Sequence, residues 1–247
     1  MKLSAEKISD PCSGLLLVNK PKEWTSHDVV NFARRRFKFK KVGHCGTLDP
    51  NATGLLILVV GHATKASEML AGEDKTYRTV MKLGAETDSH DGDGEIIKES
   101  PWNDITEEAV DEMLESFIGP QEQIPPMVSA VKKGGKKLYE LARKGITVER
   151  DPRPITIHSI EKNRIDLPEV EFTVRCSKGT YIRTLCHDMG IKLDSSAFMS
   201  ELVRTESGGF SLNDAYDLED MKSWERENFL ENMIKLRDFI MERSLEQ

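Results

Sequence analysis

The stretch VGHCGTLDPNATGLLILVVG, residues 42–61, joins a tightly turned loop to a long apolar run. The run lies between glycines and is typical of a central β-strand. Asp49 is the one carboxylate of the loop, and the proline that follows it disfavours helical geometry at that position. Three glycines let a backbone or a planar ligand approach closely: Gly43, Gly46 and Gly54. Asp49 is therefore interpreted either as the cap of a turn or as a nucleophile or general base.

Outside this stretch, hydrophobic periodicity predicts further strands and helices. Strands are predicted over residues 14–19, 76–84, 155–163 and 169–177. Helices are predicted from an N-cap at Ser26 to residue 37, from an N-cap at Thr106 to a stop at Gly119, and from about residue 180 to 192. The elements mix without strict β-α-β alternation, which favours an α+β fold with a largely antiparallel sheet and packed helices.

The composition is that of an ordinary globular protein, with 38% hydrophobic and 31% charged residues in a chain of 247. The N-terminus has no apolar signal region and the apolar runs are too short to span a bilayer, so a soluble, cytoplasmic protein without membrane association is expected. The four cysteines form no C-x-x-C pair, which predicts reduced and mostly buried thiols.

The net charge of −7 is unevenly distributed along the chain. Residues 86–115 hold twelve acidic residues against one lysine, and residues 211–247 hold ten acidic and five basic residues. The remainder carries 29 basic and 20 acidic residues, a net charge of +9. A polyanionic partner such as nucleic acid is therefore compatible with this chain.

Two basic segments interleave positive charge with aromatic side chains. The first is RRRFKFKK, residues 34–41, and the second is VKKGGKKLYELARKG, residues 131–145. Each segment alone is more typical of a solvated face than of an RNA surface. Two such segments in one chain are as compatible with a surface that contacts phosphates and stacks on bases as with a solvated face, and the aromatic candidates for stacking are Phe37, Phe39 and Tyr139.

Three other motifs contain residue types that could take part in chemistry. Arg183 begins a predicted helix, where it is either a surface arginine or a cation that keeps a carboxylate ionised. The loop DSHDGDGE, residues 88–95, lacks the order of an EF-hand and is interpreted as a solvated hairpin loop. Adjacent side chains rarely face one ion, so no metal is expected at His44–Cys45 or at Cys186–His187.

Six segments, in the same order along the chain, resemble the TruB family of tRNA pseudouridine synthases. They are GLLLVNKPKEWTSHDVV, VGHCGTLDPNATGLL, KTYRTVMKLG, QIPPMVSAVKKGGKKLYELARKG, CSKGTYIRTLCHDMG and LVRTESGGF. The resemblance implies a pseudouridine synthase fold, with a mixed and mainly antiparallel sheet and a mobile thumb over residues 124–145. It also implies isomerisation of uridine 55 in the T arm of tRNA, without a cofactor or a metal.

The resemblance assigns roles to individual residues. Asp49 matches the catalytic aspartate, Tyr77 the tyrosine that stacks on the flipped base, and Arg183 the arginine that pairs with the aspartate. Whether Asp49 attacks the base or the sugar stays open. The expected substrate-binding residues are His44, Lys20, Pro21, Gly46, Thr47, Leu202, Arg204, Lys132 and Lys136.

The expected domain organisation is a single catalytic domain over residues 1–247, with its core at about residues 14–210. Residues 211–247 are expected to form an acidic helical tail, without the PUA domain that bacterial members usually carry. A monomer is expected. The alternatives are an RNA-binding protein that folds tRNA on the same scaffold and a synthase that acts on another RNA.

Overall fold

A computed structural model of the protein describes residues 3–129, 131–142 and 145–245. Its strands are β1 (Gly14–Lys20), β2 (Val42–Cys45), β3 (Thr53–Val60), β4 (Lys75–Leu83), β5 (Ala85–Thr87), β6 (Ile96–Glu99), β7 (Gly119–Gln123), β8 (Lys132–Lys133), β9 (Lys136–Lys137), β10 (Arg153–Asp166), β11 (Glu169–Cys176), β12 (Ala197–Ser207), β13 (Phe210–Ser211), β14 (Tyr216–Asp217) and β15 (Ile234–Lys235).

The α-helices of the described residues are α1 (Ala5–Ile8), α2 (Ser26–Arg36), α3 (Ser67–Ala71), α4 (Glu107–Ser116), α5 (Leu138–Ala142), α6 (Ile182–Lys192), α7 (Leu218–Met221), α8 (Arg226–Asn232) and α9 (Leu236–Leu245). Short 3-10 helices cover Gly61–Ala66 and Leu212–Asp214. Helices and a mixed sheet together confirm the predicted α+β class.

The structure confirms the predicted strands β1, β3, β4, β10 and β11 and the predicted helices α2, α4 and α6. The cap of α2 is a correction, because Thr25 rather than Ser26 accepts the N–H of Asp28 and forms a capping box with it. The other strands of the described residues were not predicted, β2 and β12 among them. β2 lies inside the segment expected to be a loop, and β12 follows α6.

The chain divides into two compact units, one of residues 1–75 and 203–247 and the other of residues 76–202. In the first unit, β3 lies between β1 and β12, antiparallel to β1 and parallel to β12. Every residue of β3 from Gly54 to Val60 is buried. Such burial on both faces explains why the sequence of β3 is a continuous apolar run and does not alternate.

The described part of the acidic segment, residues 211–245, is built into the first unit. Its short strands β14 and β15 both pair with β1. Phe229 of α8 lies in the cluster of α2 and one face of β3, and Phe239 of α9 lies in the cluster on the other face. The predicted helices are present, and they cover both sides of this part of the sheet.

In the second unit, the strand order is β12, β4, β11, β10 and β7. The side chains of β4 alternate as the sequence predicts, with buried residues at every second position. β11 alternates in the same way, and β10 pairs with it antiparallel. α4 and α6 belong to this unit, as do the hairpins β5–β6 and β8–β9. The prediction of a single catalytic domain stays a prediction.

The cysteines confirm the prediction of reduced and mostly buried thiols, since all four are free and only Cys12 is partly exposed. Burial raises the pKa of Cys45 and that of Cys186 to about 12, so both are protonated thiols at neutral pH. Among the described residues, no helix is long and apolar enough to cross a membrane.

Candidate active site

The loop between β2 and β3 presents Asp49 half-buried, between a buried leucine and an exposed proline. Leu48 is 3% exposed and anchors the loop in the interior of the first unit. The carbonyl of Asp49 accepts the N–H of Ala52, which closes the turn back towards β3. Asp49 thus stands at the edge of a fixed turn, and Thr47 on the same loop is exposed.

Three buried side chains hold the backbone of this loop at every second residue. Arg204 of β12 donates from Nη2 to the carbonyl of Gly46 at 3.1 Å. Ser26 Oγ accepts the N–H of Leu48 at 2.8 Å and donates to the carbonyl of the same residue at 3.1 Å. Lys20 Nζ donates to the carbonyl of Pro50 at 3.0 Å.

Lys20 and Arg204 were expected to bind substrate, and the structure places both beneath the loop. Lys20 is 0% exposed and also donates to the carbonyls of Pro21 and Trp24. Arg204 is 1% exposed and donates from Nε to the carbonyl of Leu55 at 2.7 Å. Cations are rarely buried unless they are paired, and here backbone carbonyls supply the partners. We therefore assign both side chains to the support of the loop.

Burial lowers the pKa of Lys20 to about 8, and the nearby Asp49 carboxylate opposes this shift. At neutral pH the amine is still mainly the ammonium form, which has a third N–H for its third carbonyl. His44 of β2 is shifted in the same direction: its burial first, and the charge of Arg204 second, lower its pKa. His44 is therefore uncharged at neutral pH.

Two glycines make this packing possible. A Cβ on Gly54 would lie 2.4 Å from the carbonyl oxygen of Arg204, and a Cβ on Gly46 would lie 3.3 Å from Nη1 of the same arginine. Both glycines have positive φ, 98° and 85° respectively. Gly46 of the loop therefore admits the Arg204 guanidinium, and Gly54 in β3 admits the backbone of β12, where the sequence analysis expected these glycines to admit a backbone or a planar ligand.

Arg183 lies in the second unit, 4% exposed, at the start of α6. Its Nη1 lies 3.2 Å from Oδ2 of Asp91, which is 8% exposed, and its Nη2 donates to the carbonyl of Val128. The interpretation as a surface arginine is therefore wrong. The pairing of Arg183 with Asp49 stays a prediction, since the two residues belong to different units.

Asp91 is a buried partner of Arg183 that the sequence analysis did not identify. The loop containing it, residues 88–95, was interpreted as solvated, and its other two aspartates are exposed. Asp91 turns inward, where Ser89 Oγ donates to its Oδ1 at 2.5 Å and the N–H of Asp93 lies 3.1 Å from the same oxygen. No local pattern distinguishes Asp91 from its neighbours, because its partner is 92 positions away.

Tyr77 and Leu202 also belong to the second unit. Tyr77 is on the inward face of β4 and is 9% exposed. Leu202 of β12 is half-buried. Their expected contacts with a flipped base stay predictions, as do those of Pro21 and Thr47.

Next to Asp91, two histidines stack on each other. The rings of His90 and His187 are 3.9 Å apart and nearly parallel, and Nδ1 of His187 lies 3.7 Å from Oε1 of Glu86. The three residues together have the donor atoms of a metal site. However, an imidazole nitrogen binds a metal in the plane of its ring, at about 2.0–2.1 Å. One ion cannot lie in the planes of two stacked, nearly parallel rings, so the two histidines cannot both bind it in this arrangement. Burial, followed by the charge of His187, lowers the pKa of His90 to about 4, which keeps His90 neutral.

The two basic segments differ from the prediction in their aromatic residues. The six basic side chains of residues 34–41 are exposed. Phe37 and Phe39, the expected stacking residues, are 1% and 7% exposed and pack against Phe229 at 4.8 Å each, so they are core residues. In the second segment, Lys132 and Lys136 lie on a two-stranded hairpin, and their side chains and that of Tyr139 lie outside the described part of the structure.

Comparisons with known proteins identify the family of the chain. Residues 34–182 match the model of the TruB family pseudouridylate synthase N-terminal domain, and residues 183–245 match that of the tRNA pseudouridylate synthase B C-terminal domain. The chain belongs to the TruB family of pseudouridylate synthases.

Curated relatives and solved structures resemble most of the chain. The tRNA pseudouridine synthase B of Clostridium tetani is 48% identical over 88% of this chain and 75% of its own length. That of Geotalea uraniireducens is 50% identical over 84% of this chain and 67% of its own length. The structure of a Cbf5–Nop10–Gar1 complex matches with a TM-score of 0.72 at 29% identity, over 92% of this chain and 61% of the matched one.

Proposed function

We propose that this protein is a tRNA pseudouridine synthase that converts uridine 55, in the T arm of tRNA, to pseudouridine. The observation that carries the proposal is Asp49, a half-buried carboxylate on a loop fixed by three buried side chains, in a chain of the TruB family. Relatives that are about half identical in sequence are named tRNA pseudouridine synthase B.

The reaction is an isomerisation that exchanges no atoms with a second reactant. The bond between N1 of the base and C1′ of the ribose breaks, the base turns, and C5 forms a new bond to C1′. The hydrogen of C5 is lost and N1 gains one, so the electron count is unchanged. One ionised carboxylate can attack the nucleotide or remove a proton from it, which are the roles proposed for Asp49.

A base inside a folded arm must leave its stack before a carboxylate can reach it, at a cost of about a few kcal/mol. We assign the compensating stacking contact to Tyr77 and the phosphate contacts to the exposed basic residues 34–41. Within its own unit Arg183 pairs with Asp91, and the pairing of Arg183 with Asp49 that the family resemblance implies stays a prediction.

The test is carbodiimide mapping of pseudouridine in an unmodified tRNA transcript incubated with the protein. A reverse-transcription stop at uridine 55 is expected with the wild type and with Asp214→Asn, which alters an exposed carboxylate of the acidic segment. Asp49→Asn is expected to give no stop, because the amide is neither a base nor an anionic nucleophile. A transcript with cytidine at position 55 confirms the site.

If the wild type binds tRNA but produces no stop, the proposal fails, and a tRNA-folding protein or a synthase of another RNA takes its place. If Asp49→Asn retains the stop, the enzyme stands but the aspartate assignment is wrong.

A further inference from the structure

Ser26 makes two hydrogen bonds to the backbone of Leu48 to which the proposed chemistry assigns no role. It is 2% exposed and is the first residue of α2, one position after the residue that caps the helix. Since Thr25 accepts the N–H of Asp28, the Ser26 hydroxyl is not needed for the cap. It points instead to Leu48, the residue before Asp49, and binds both the N–H and the carbonyl of that residue.

Within the described residues of the loop, Ser26 binds both backbone polar groups of one residue, which Lys20 and Arg204 do not. Lys20 and Arg204 each bind one loop carbonyl, at Pro50 and Gly46. A carbonyl held at one atom leaves its peptide plane able to rotate about that bond. A residue whose N–H and C=O are both bound to one hydroxyl has the planes on either side of it fixed. The second of these planes joins Leu48 to Asp49 and therefore sets the direction in which the Asp49 side chain leaves the backbone.

A hydroxyl is suited to this contact because it is a donor and an acceptor at one atom. The side chain must also be small, because Ser26 and Leu48 are both buried. A helix supplies a rigid base for it, since α2 is packed through Val29, Val30 and Ala33.

We propose that Ser26 is a positioning residue of the reaction, which fixes the orientation of Asp49 through the backbone of Leu48. The inference rests on the proposed function, because it concerns the rate at which Asp49 acts. A shift of about 1 Å in a reacting group costs about 100-fold in rate. Ser26→Ala is therefore expected to slow the chemical step by about 10- to 100-fold and to leave tRNA binding unchanged within about twofold.

Ser13 provides a matched control in the same unit. It is 0% exposed, its Oγ donates to Asp10 Oδ2 at 2.6 Å, and it accepts the N–H of His62 at 2.8 Å. Ser13→Ala thus removes a buried hydroxyl with one donor and one acceptor contact. Ser13 directly precedes β1, whereas Lys20 is at the other end of that strand. Both alanine variants are expected to lower the melting temperature, and only Ser26→Ala is expected to lower the rate.

The experiment measures single-turnover pseudouridine formation with enzyme in excess over tRNA, the Kd for tRNA by filter binding, and the melting temperature. Ser26→Thr keeps the hydroxyl and is expected to recover most of the rate, and Ser26→Cys, a weak donor and acceptor, is expected to lie between threonine and alanine. If Ser26→Ala does not fold, the cysteine and threonine variants decide the question.

Equal rates for the Ser26 and Ser13 variants would overturn the inference, as would a loss confined to tRNA binding. A wild type without activity would instead remove the proposed function, so the two failures are distinguishable.

Discussion

At the scale of single residues, the burial of charged side chains is the feature of this structure that the sequence pattern did not predict. Lys20, Arg204 and Arg183 are each at most 4% exposed, and each of them donates to backbone carbonyls. The first two support the Asp49 loop. Arg183 differs from them because it also has a buried carboxylate partner, Asp91.

Replacement of Asp91 by asparagine is expected to destabilise the protein, because it removes a buried carboxylate that pairs with the buried Arg183 cation. Breaking a buried ion pair at one partner costs about 3–5 kcal/mol. Asp111→Asn is the control, since Asp111 pairs with Lys162 at 2.6 Å with both side chains about 42–43% exposed, and such pairs contribute at most about 1 kcal/mol. Urea unfolding measures both variants. Equal unfolding free energies would show that the Asp91 pair is not structurally important.

At the scale of elements, α2 joins two parts of the proposed function. Its first turn holds the capping box and Ser26, which contacts the Asp49 loop. Its last turn carries Arg34, Arg35 and Arg36, and three exposed lysines follow it. Cations at this end are favoured by the helix dipole. The basic residues therefore stabilise the helix that carries Ser26, and they form the surface that we propose for phosphate contacts.

A charge change at the end of α2 is expected to weaken tRNA binding without slowing the chemical step. Arg35→Ala combined with Lys38→Ala removes two exposed cations. Each phosphate contact that is lost lowers the slope of log Kd against the logarithm of the salt concentration by about one. Lys222→Ala, an exposed lysine paired with Glu219, is the control. Filter binding from 50 to 200 mM salt tests this. An unchanged slope for the double variant would exclude this surface as a phosphate contact.

At the scale of the whole molecule, a feature was predictable from the sequence where neighbouring residues determine it, and not where a distant part of the chain does. β3 is buried on both faces and the side chains of β4 alternate in burial. Both patterns are visible in consecutive residues of the sequence, so both strands were predicted. β2 contains Gly43 and His44 and has no apolar run, and it is a strand because it pairs with β3. The position of Asp49 on its loop was predictable from the sequence, whereas the inward turn of Asp91 depends on a partner on another element.

The same distinction explains the aromatic residues of the basic run. Phe37 and Phe39 alternate with cations, which in sequence suggests base stacking, yet both pack on Phe229 from the other end of the chain. The acidic segment that supplies Phe229 thus completes the core of the first unit, and the cations on the opposite face stay exposed.

This role of the acidic segment leads to a stability prediction. Phe229→Ala removes a side chain that is 0% exposed and is expected to cost about 3–5 kcal/mol. Met241→Ala, in the same segment but 59% exposed, is expected to change stability by at most about 0.5 kcal/mol. Urea unfolding followed by tryptophan fluorescence is suited to the comparison, because Trp24 and Trp224 pack against the cluster that contains Phe229. A much lower midpoint for Phe229→Ala would establish residues 211–247 as part of the fold, and equal midpoints would reduce them to an appendage.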